Sequence, residues 1–192
     1  MNVATSAEQS LYWLRWWAYG WSHAHPSWQL QARIGLDPEL AATVGKIRYS
    51  WLSHRLEVTA LPAQKPRPAL LRLLQLAPEG RQRALDLAIA ICSGGASGPD
   101  LDEAGHTWCR RMAKALQPGY WIPEGWRQYP PEEAGLLLLK AWVAEPTWRK
   151  LRLGFPRPAI EAVERITLPA MPSPRLDAVW EAVSWHVFNV TE

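Results

Sequence analysis

PEEAGLLLLKAWV, residues 131 to 143, decides how this chain reads. Read as a helix starting near Pro131, its run from Leu136 to Leu139, followed by Ala141-Trp142-Val143, leaves almost no polar face, so the stretch is predicted to be a buried, central helix. Elsewhere the chain repeats the same vocabulary. Leu, Ala and Arg dominate, and sustained period-2 alternation of β-branched residues is almost absent. The 17 prolines imply many helix starts and stops. The expectation is an all-α fold, an irregular multi-helix globular domain of short, Pro-interrupted helices.

Outward from this segment, the helices are punctuated by Pro, Gly and capping residues. A first helix is expected from about Ser6, as N-cap with Gln9 three residues on, to Trp21. Asp37-Pro38-Glu39 reads as the start of a second, ending near Glu57. Pro62, Pro66 and Pro68 mark a linker. Short helices follow from Ala69 to Leu74 and from Pro78 to Cys92, then a Gly-rich loop at 93–99. Asp100 is expected to cap a helix reaching Gln117, with Leu101, Trp108, Met112, Ala115 and Leu116 inward. Residues 148–153 read as a short helix or extended stretch. A further helix is expected around Ile160, Val163 and Ile166, and a last one from Ser173 to Phe188. In domain terms, residues 1–60 are expected to form a Trp-rich helical arm packed on a helical core of residues 61–192, one compact domain overall.

Tryptophan is the compositional outlier, 13 residues against 2 Phe. Four of them, Trp13, Trp16, Trp17 and Trp21, fall in LYWLRWWAYGW, residues 11 to 21. On a helical wheel Tyr12, Arg15 and Tyr19 share one side, and apolar residues cover the remaining arc of roughly 220°. One core contact needs a stripe of only about 100°. Such a helix is either enclosed on several sides or carries a second apolar contact. A membrane-surface helix would show several Lys or Arg on its polar face, and this one has Arg15 alone.

The net charge is +3, and the basic residues fall in small groups, Arg81 with Arg83, Arg110 with Arg111, and Arg149-Lys150 with Arg152, with acids close to most of them. That pattern suits solvated helix faces better than a dense phosphate-binding patch. No stretch approaches the roughly 20 apolar residues that span a bilayer, and MNVATSAEQS lacks a basic n-region, so a soluble cytoplasmic protein is expected. Cys92 and Cys109 make no disulfide framework. His23-Ala24-His25 has no neighbouring Cys, Asp or Glu to complete a metal set, and His54 and His186 read as core-edge residues. The Gly-Gly-Ala-Ser-Gly loop ends in no Gly-Lys-Ser/Thr and follows a helix, so no cofactor or nucleotide motif is present. One arrangement has the spacing of a nucleophile site: Asp102, His106 and Cys109 along one side of a helix. The competing reading is a first turn with acids complementing the macrodipole and a small core cysteine. The second is favoured, and no catalytic, cofactor or metal residue is assigned.

From residue 69 onward the chain resembles one family. A Leu/Arg helix pair (Ala69 to Cys92) precedes a helix ending near Leu116. An aromatic linker, Trp121-Ile122-Pro123…Trp126, leads to Gly135-Leu136 and Ala141-Trp142, then to Trp148-Arg149-Lys150-Leu151-Arg152-Leu153…Phe155-Pro156. This is similar to the K component of bacterial type III secretion systems, the SctK family. The similarity covers about 60% of the chain and leaves the Trp-rich first 60 residues unmatched. It implies a non-enzymatic adaptor at the cytoplasmic face of the inner membrane, peripheral to the membrane through partners only. The implied partners are the cytoplasmic domain of the inner-membrane ring protein and the pod-forming component of the sorting platform. Partner-binding residues are expected among Trp13, Trp16, Trp17 and Trp21, and at Trp148, Arg149 and Arg152. The alternative is a mildly basic helical protein that binds nucleic acid or regulates.

Overall fold

Helices end where the chain runs out of backbone options, and the prolines mark most of their starts. The computed structural model describes residues 3–28, 61–95 and 101–190, with Thr43, His54, Leu56 and Val58. Among the described residues the chain is all-α, with no strand. The α-helices are α1 (Val3–Tyr19), α2 (Pro68–Gln75), α3 (Pro78–Cys92), α4 (Glu103–Leu116), α5 (Pro131–Trp142), α6 (Glu145–Leu151), α7 (Arg157–Glu164) and α8 (Ser173–Val190). Pro68, Pro78 and Pro146 sit in the first turn of their helices, where a missing N–H costs nothing. The helix expected at 37–57 lies outside the described residues, as do Asp100 and most of the 93–99 loop.

Several boundaries differ from the sequence expectation. α1 begins at Val3, so Ser6 lies inside the helix and is not its cap; it ends at Tyr19 and tightens into a 3-10 turn over Gly20–His23. Residue 20 has little room for a side chain, because a Cβ there would meet the Trp16 indole nitrogen at 3.2 Å. α4 is capped by Asp102, whose Oδ1 accepts from Gly105 N, and stops one residue earlier than expected. Gln117 ends it in the left-handed region, at φ 49°. Residues 148–153 complete α6 and turn into a 3-10 helix at Arg152–Gly154. Ile166 lies beyond α7, and α8 runs two residues past Phe188.

The C-terminus of α3 shows why the 93–99 stretch is glycine-rich. Gly95 N–H reaches back to Ala90 O and Gly94 N–H to Ile91 O, the paired bonds of a Schellman motif, with Gly94 at φ 83° and Gly95 at φ 74°. A Cβ at residue 95 would also stand 2.9 Å from the Arg110 Cα, so this turn is closed against α4 by the absence of a side chain.

The described chain divides into two compact units, and both are discontinuous in sequence. One comprises Met1–Lys65 with Val143–Glu161; the other comprises Pro66–Trp142 with Ala162–Glu192. The division thus departs from a single cut at residue 60, because residues 143–161 fold with the N-terminal segment. In the second unit α3 packs on α4, α5 and α8, and α8 also packs on α2. Buried positions run almost around α3, from Ala84 to Cys92, so it shares the centre with the Leu136–Leu139 run of α5. Gly135 lets α5 approach α3 closely: a Cβ there would lie 3.2 Å from Leu85 and Ile89. On α4 the buried line is Gly105, Cys109 and Ala113, whereas Ala115, expected inward, is exposed. Small residues at that spacing bring the α4 backbone close to α3.

Candidate functional site

The Trp-rich segment is held by hydrogen bonds that no local pattern specifies. Trp13 Nε1 donates to Gln64 O at 2.7 Å, and Trp17 Nε1 donates to Leu61 O at 2.8 Å. Both indoles are thereby buried, at 3% and 6% exposure, and the linker at 61–64 is pinned across one side of α1. The rings also pack on each other: Trp13 stacks on Trp16 at 5.1 Å and tilts against Trp17 at 5.4 Å. Trp28 completes the core of this unit by donating to Phe155 O at 2.9 Å, while the guanidinium groups of Arg152 and Arg157 both lie 5.8 Å from its ring. The segments are further joined by His25 N–H to Leu153 O and Arg157 N–H to Ser27 Oγ, each at 2.8 Å.

This geometry sorts the residues expected to bind a partner. Trp13 and Trp17 are core, Trp148 is 1% exposed, and Arg152 is 6% exposed and donates to Leu56 O at 2.9 Å. These four hold the unit together, which takes them out of any surface role within it. Trp16, Trp21 and Arg149 are half-buried, and Arg149 pairs with Glu145 one turn earlier on α6. One side of α1 carries a groove of about 540 Å³ lined by Tyr12, Arg15, Trp16, Tyr19, Ser22 and His23. Its size is that of a small-molecule or side-chain pocket. Tyr12, Arg15 and Tyr19 are the side the helical wheel sets apart, so this lining was accessible to sequence reasoning that attended to the polar side as well as to the tryptophans.

The second unit carries a groove of its own, about 490 Å³, lined by Arg67, Pro68, Ala69, Trp142, Asp177, Ala178 and Glu181. A network shapes its wall. Arg67 pairs with Asp177 at 2.5 Å, its guanidinium lies 5.6 Å from the Trp142 ring, and Trp142 Nε1 donates to Asp177 Oδ1 at 2.7 Å. Arg72 pairs with Glu181 at the far edge. Nothing in the local sequence announces this groove, since Arg67 and Asp177 are 110 positions apart.

Five described arginines, at 67, 72, 83, 149 and 157, form ion pairs with carboxylates. They are not arrayed as a free cationic surface. Lys150 is different. It is 6% exposed, and its ammonium sits 4.9 Å from the centroid of the Trp17 ring. Burial pulls its pKa from the ordinary 10.5 down to about 8.

Asp102, His106 and Cys109 do not assemble as a nucleophile site. Asp102 is committed to the helix cap and to Arg83 at 2.6 Å, and this guanidinium holds its carboxyl below the usual range. Cys109 is fully buried, its thiol faces Leu87 O at 3.8 Å, and burial pushes its pKa up to about 11. An activated thiol requires the opposite shift. Cys92 is buried as well and shifted upward by the same cause. Both thiols are therefore expected to resist a disulfide exchange reagent at pH 8 in the folded chain and to react fully in denaturant. Rapid labelling of Cys109 in the native protein would contradict this.

Among the described residues no group of three His, Cys, Asp or Glu side chains gathers as metal ligands, and no helix is long and apolar enough to cross a membrane. Compared with models of known families, with curated proteins and with solved structures, the chain gives no significant match.

Proposed function

We propose that this chain is a non-enzymatic adaptor of a type III secretion sorting platform. It would act at the cytoplasmic face of the inner membrane, joining the ring protein's cytoplasmic domain to the pod-forming component. The observation that carries the reading is the pair of open grooves, one on each compact unit, each combining aromatic surface with charged groups. Trp, Tyr and Arg are the side chains most often responsible for interface energy. An adaptor needs two independent binding surfaces and no reaction centre. The ordered helix run from α2 to α6, with the Gly135-Leu136 and Trp148–Phe155 segments, is what supports placing it with the K components.

The test is binding of the purified chain to each of the two partners, with one substitution per groove. Trp16→Ala removes the indole from the wall of the first groove, and Ala178→Leu narrows the second without adding a charge beside Asp177 and Glu181. Each variant is expected to lose one partner and keep the other. If neither partner binds the unmodified chain below about 100 μM, the adaptor reading fails, since specific interfaces are usually tighter than that.

A further inference from the structure

α1 buries only one side of its apolar circumference. A neighbouring side remains open: Leu11 and Leu14 are 49% and 53% exposed, Ala7 is exposed and Ala18 half-exposed. These four residues are spaced 4, 3 and 4 apart, the alternation of a heptad seam, and they fall within an arc of about 60°. They lie beside the arc of Trp13 and Trp17, which anchor the helix to its own unit. A large exposed leucine pair at seam positions, flanked by small residues, is a face built for another helix.

We infer that this face binds a second copy of the same chain, with two α1 helices packed antiparallel about a two-fold axis. Antiparallel packing sets Leu11 of one copy against Leu14 of the second copy, twice, at the centre. Ala7 meets Ala18 of the second copy in the outer layers, where small side chains permit close approach. The flanking charges select this arrangement. Glu8 and Arg15 occupy the same flank of the seam, seven residues apart, and both are exposed. In the antiparallel register Glu8 faces Arg15 of the second copy, and Arg15 faces its Glu8, so one acid and one base satisfy each other twice by symmetry. A parallel pair would set Arg15 against Ser10 of the second copy and leave Glu8 without an opposite charge. The seam is thus complementary to itself in one orientation only. α1, at 17 residues, provides about 25 Å of it.

The interaction is measured on the purified full chain with no other protein present, so its outcome is independent of the adaptor reading. Sedimentation equilibrium is expected to show a reversible monomer–dimer system with a dissociation constant below about 100 μM. Leu14→Glu should leave a monomer throughout the accessible range. Glu8→Arg and Arg15→Glu should each weaken the dimer roughly tenfold, because two attractive pairs become repulsive. Mixing these two variants should restore dimerisation, since every facing pair is then again of opposite charge. All three substituted positions are exposed, and unchanged helical circular dichroism checks that the fold is retained. A chain that stays monomeric at several hundred micromolar overturns the inference. So does a dimer indifferent to both charge reversals, or a mixture no tighter than its components.

Discussion

Replacing Trp180 with alanine is expected to lower the unfolding free energy by about 3–5 kcal/mol, the range for removing a fully buried Trp or Phe. Trp180 has no exposed surface and sits mid-helix on α8, flanked by the buried residues Val179 and Val183. Its ring stacks on Trp142 at 5.3 Å and 22°. Trp142 in turn carries the Arg67 guanidinium and the hydrogen bond to Asp177, so loss of the Trp180 ring removes the platform beneath that network. Trp180 Nε1 is buried with no hydrogen-bond partner among the described residues, so the polar atom adds nothing that phenylalanine would lose. Trp180→Phe should therefore cost clearly less than the alanine variant. Urea unfolding followed by circular dichroism measures both. Equal losses for the two variants, or an alanine variant within about 1 kcal/mol of the parent, would contradict the packing account.

The second large effect depends on pH. Lys150 is a buried cation whose charge contact among the described residues is the face of Trp17. Its pKa is depressed in the folded state, about 8 against 10.5, so between those two values the unfolded chain holds more protons than the folded one. Stability from this group must then rise as pH climbs from about 8 to 10.5, and it stays at its lower level below 8, where both states are charged. Lys150→Met removes the buried charge while keeping the apolar stem. At pH 7 it is expected to stabilise the chain by about 1–3 kcal/mol, the aromatic face offsetting part of the desolvation cost. The gain should shrink toward zero by pH 10.5. Urea midpoints of both proteins across this range decide the matter. Parallel pH profiles, or destabilisation at neutral pH, would mean the ammonium is better solvated than its burial indicates.

The candidate grooves were only partly legible beforehand. Trp16 and Arg15 stand in a segment whose composition draws attention to itself. Trp148 and Arg152 stand out in the same way but are core, because an indole and a guanidinium each carry a large apolar body that can be buried, and the Arg152 tip is satisfied inside by Leu56 O. The burial of Lys150, which lies between them, has no signal in the sequence, since nothing in Arg149-Lys150-Leu151 marks which of two adjacent cations is buried. The same limit applies at α4. The acids of its first turn were recognisable as a cap region, yet Asp102 emerges as the cap and as the partner of Arg83, nineteen positions away.

By itself the sequence determined that this chain is helical and where most helices start. Proline at a first turn, and glycine where φ is positive, act through sterics within a few residues, as at Pro68, Pro78, Gly94 and Gly95. It also determined that α5 is buried, because its Leu run leaves almost no polar face. Only the tertiary structure decided which side of α1 is core. Its apolar arc is too wide to select a face locally, and the selection is made by the carbonyls of Leu61 and Gln64, which accept the indole N–H groups of Trp17 and Trp13. Those acceptors lie 44 and 51 positions away, where only the folded chain brings a carbonyl within reach of each indole N–H.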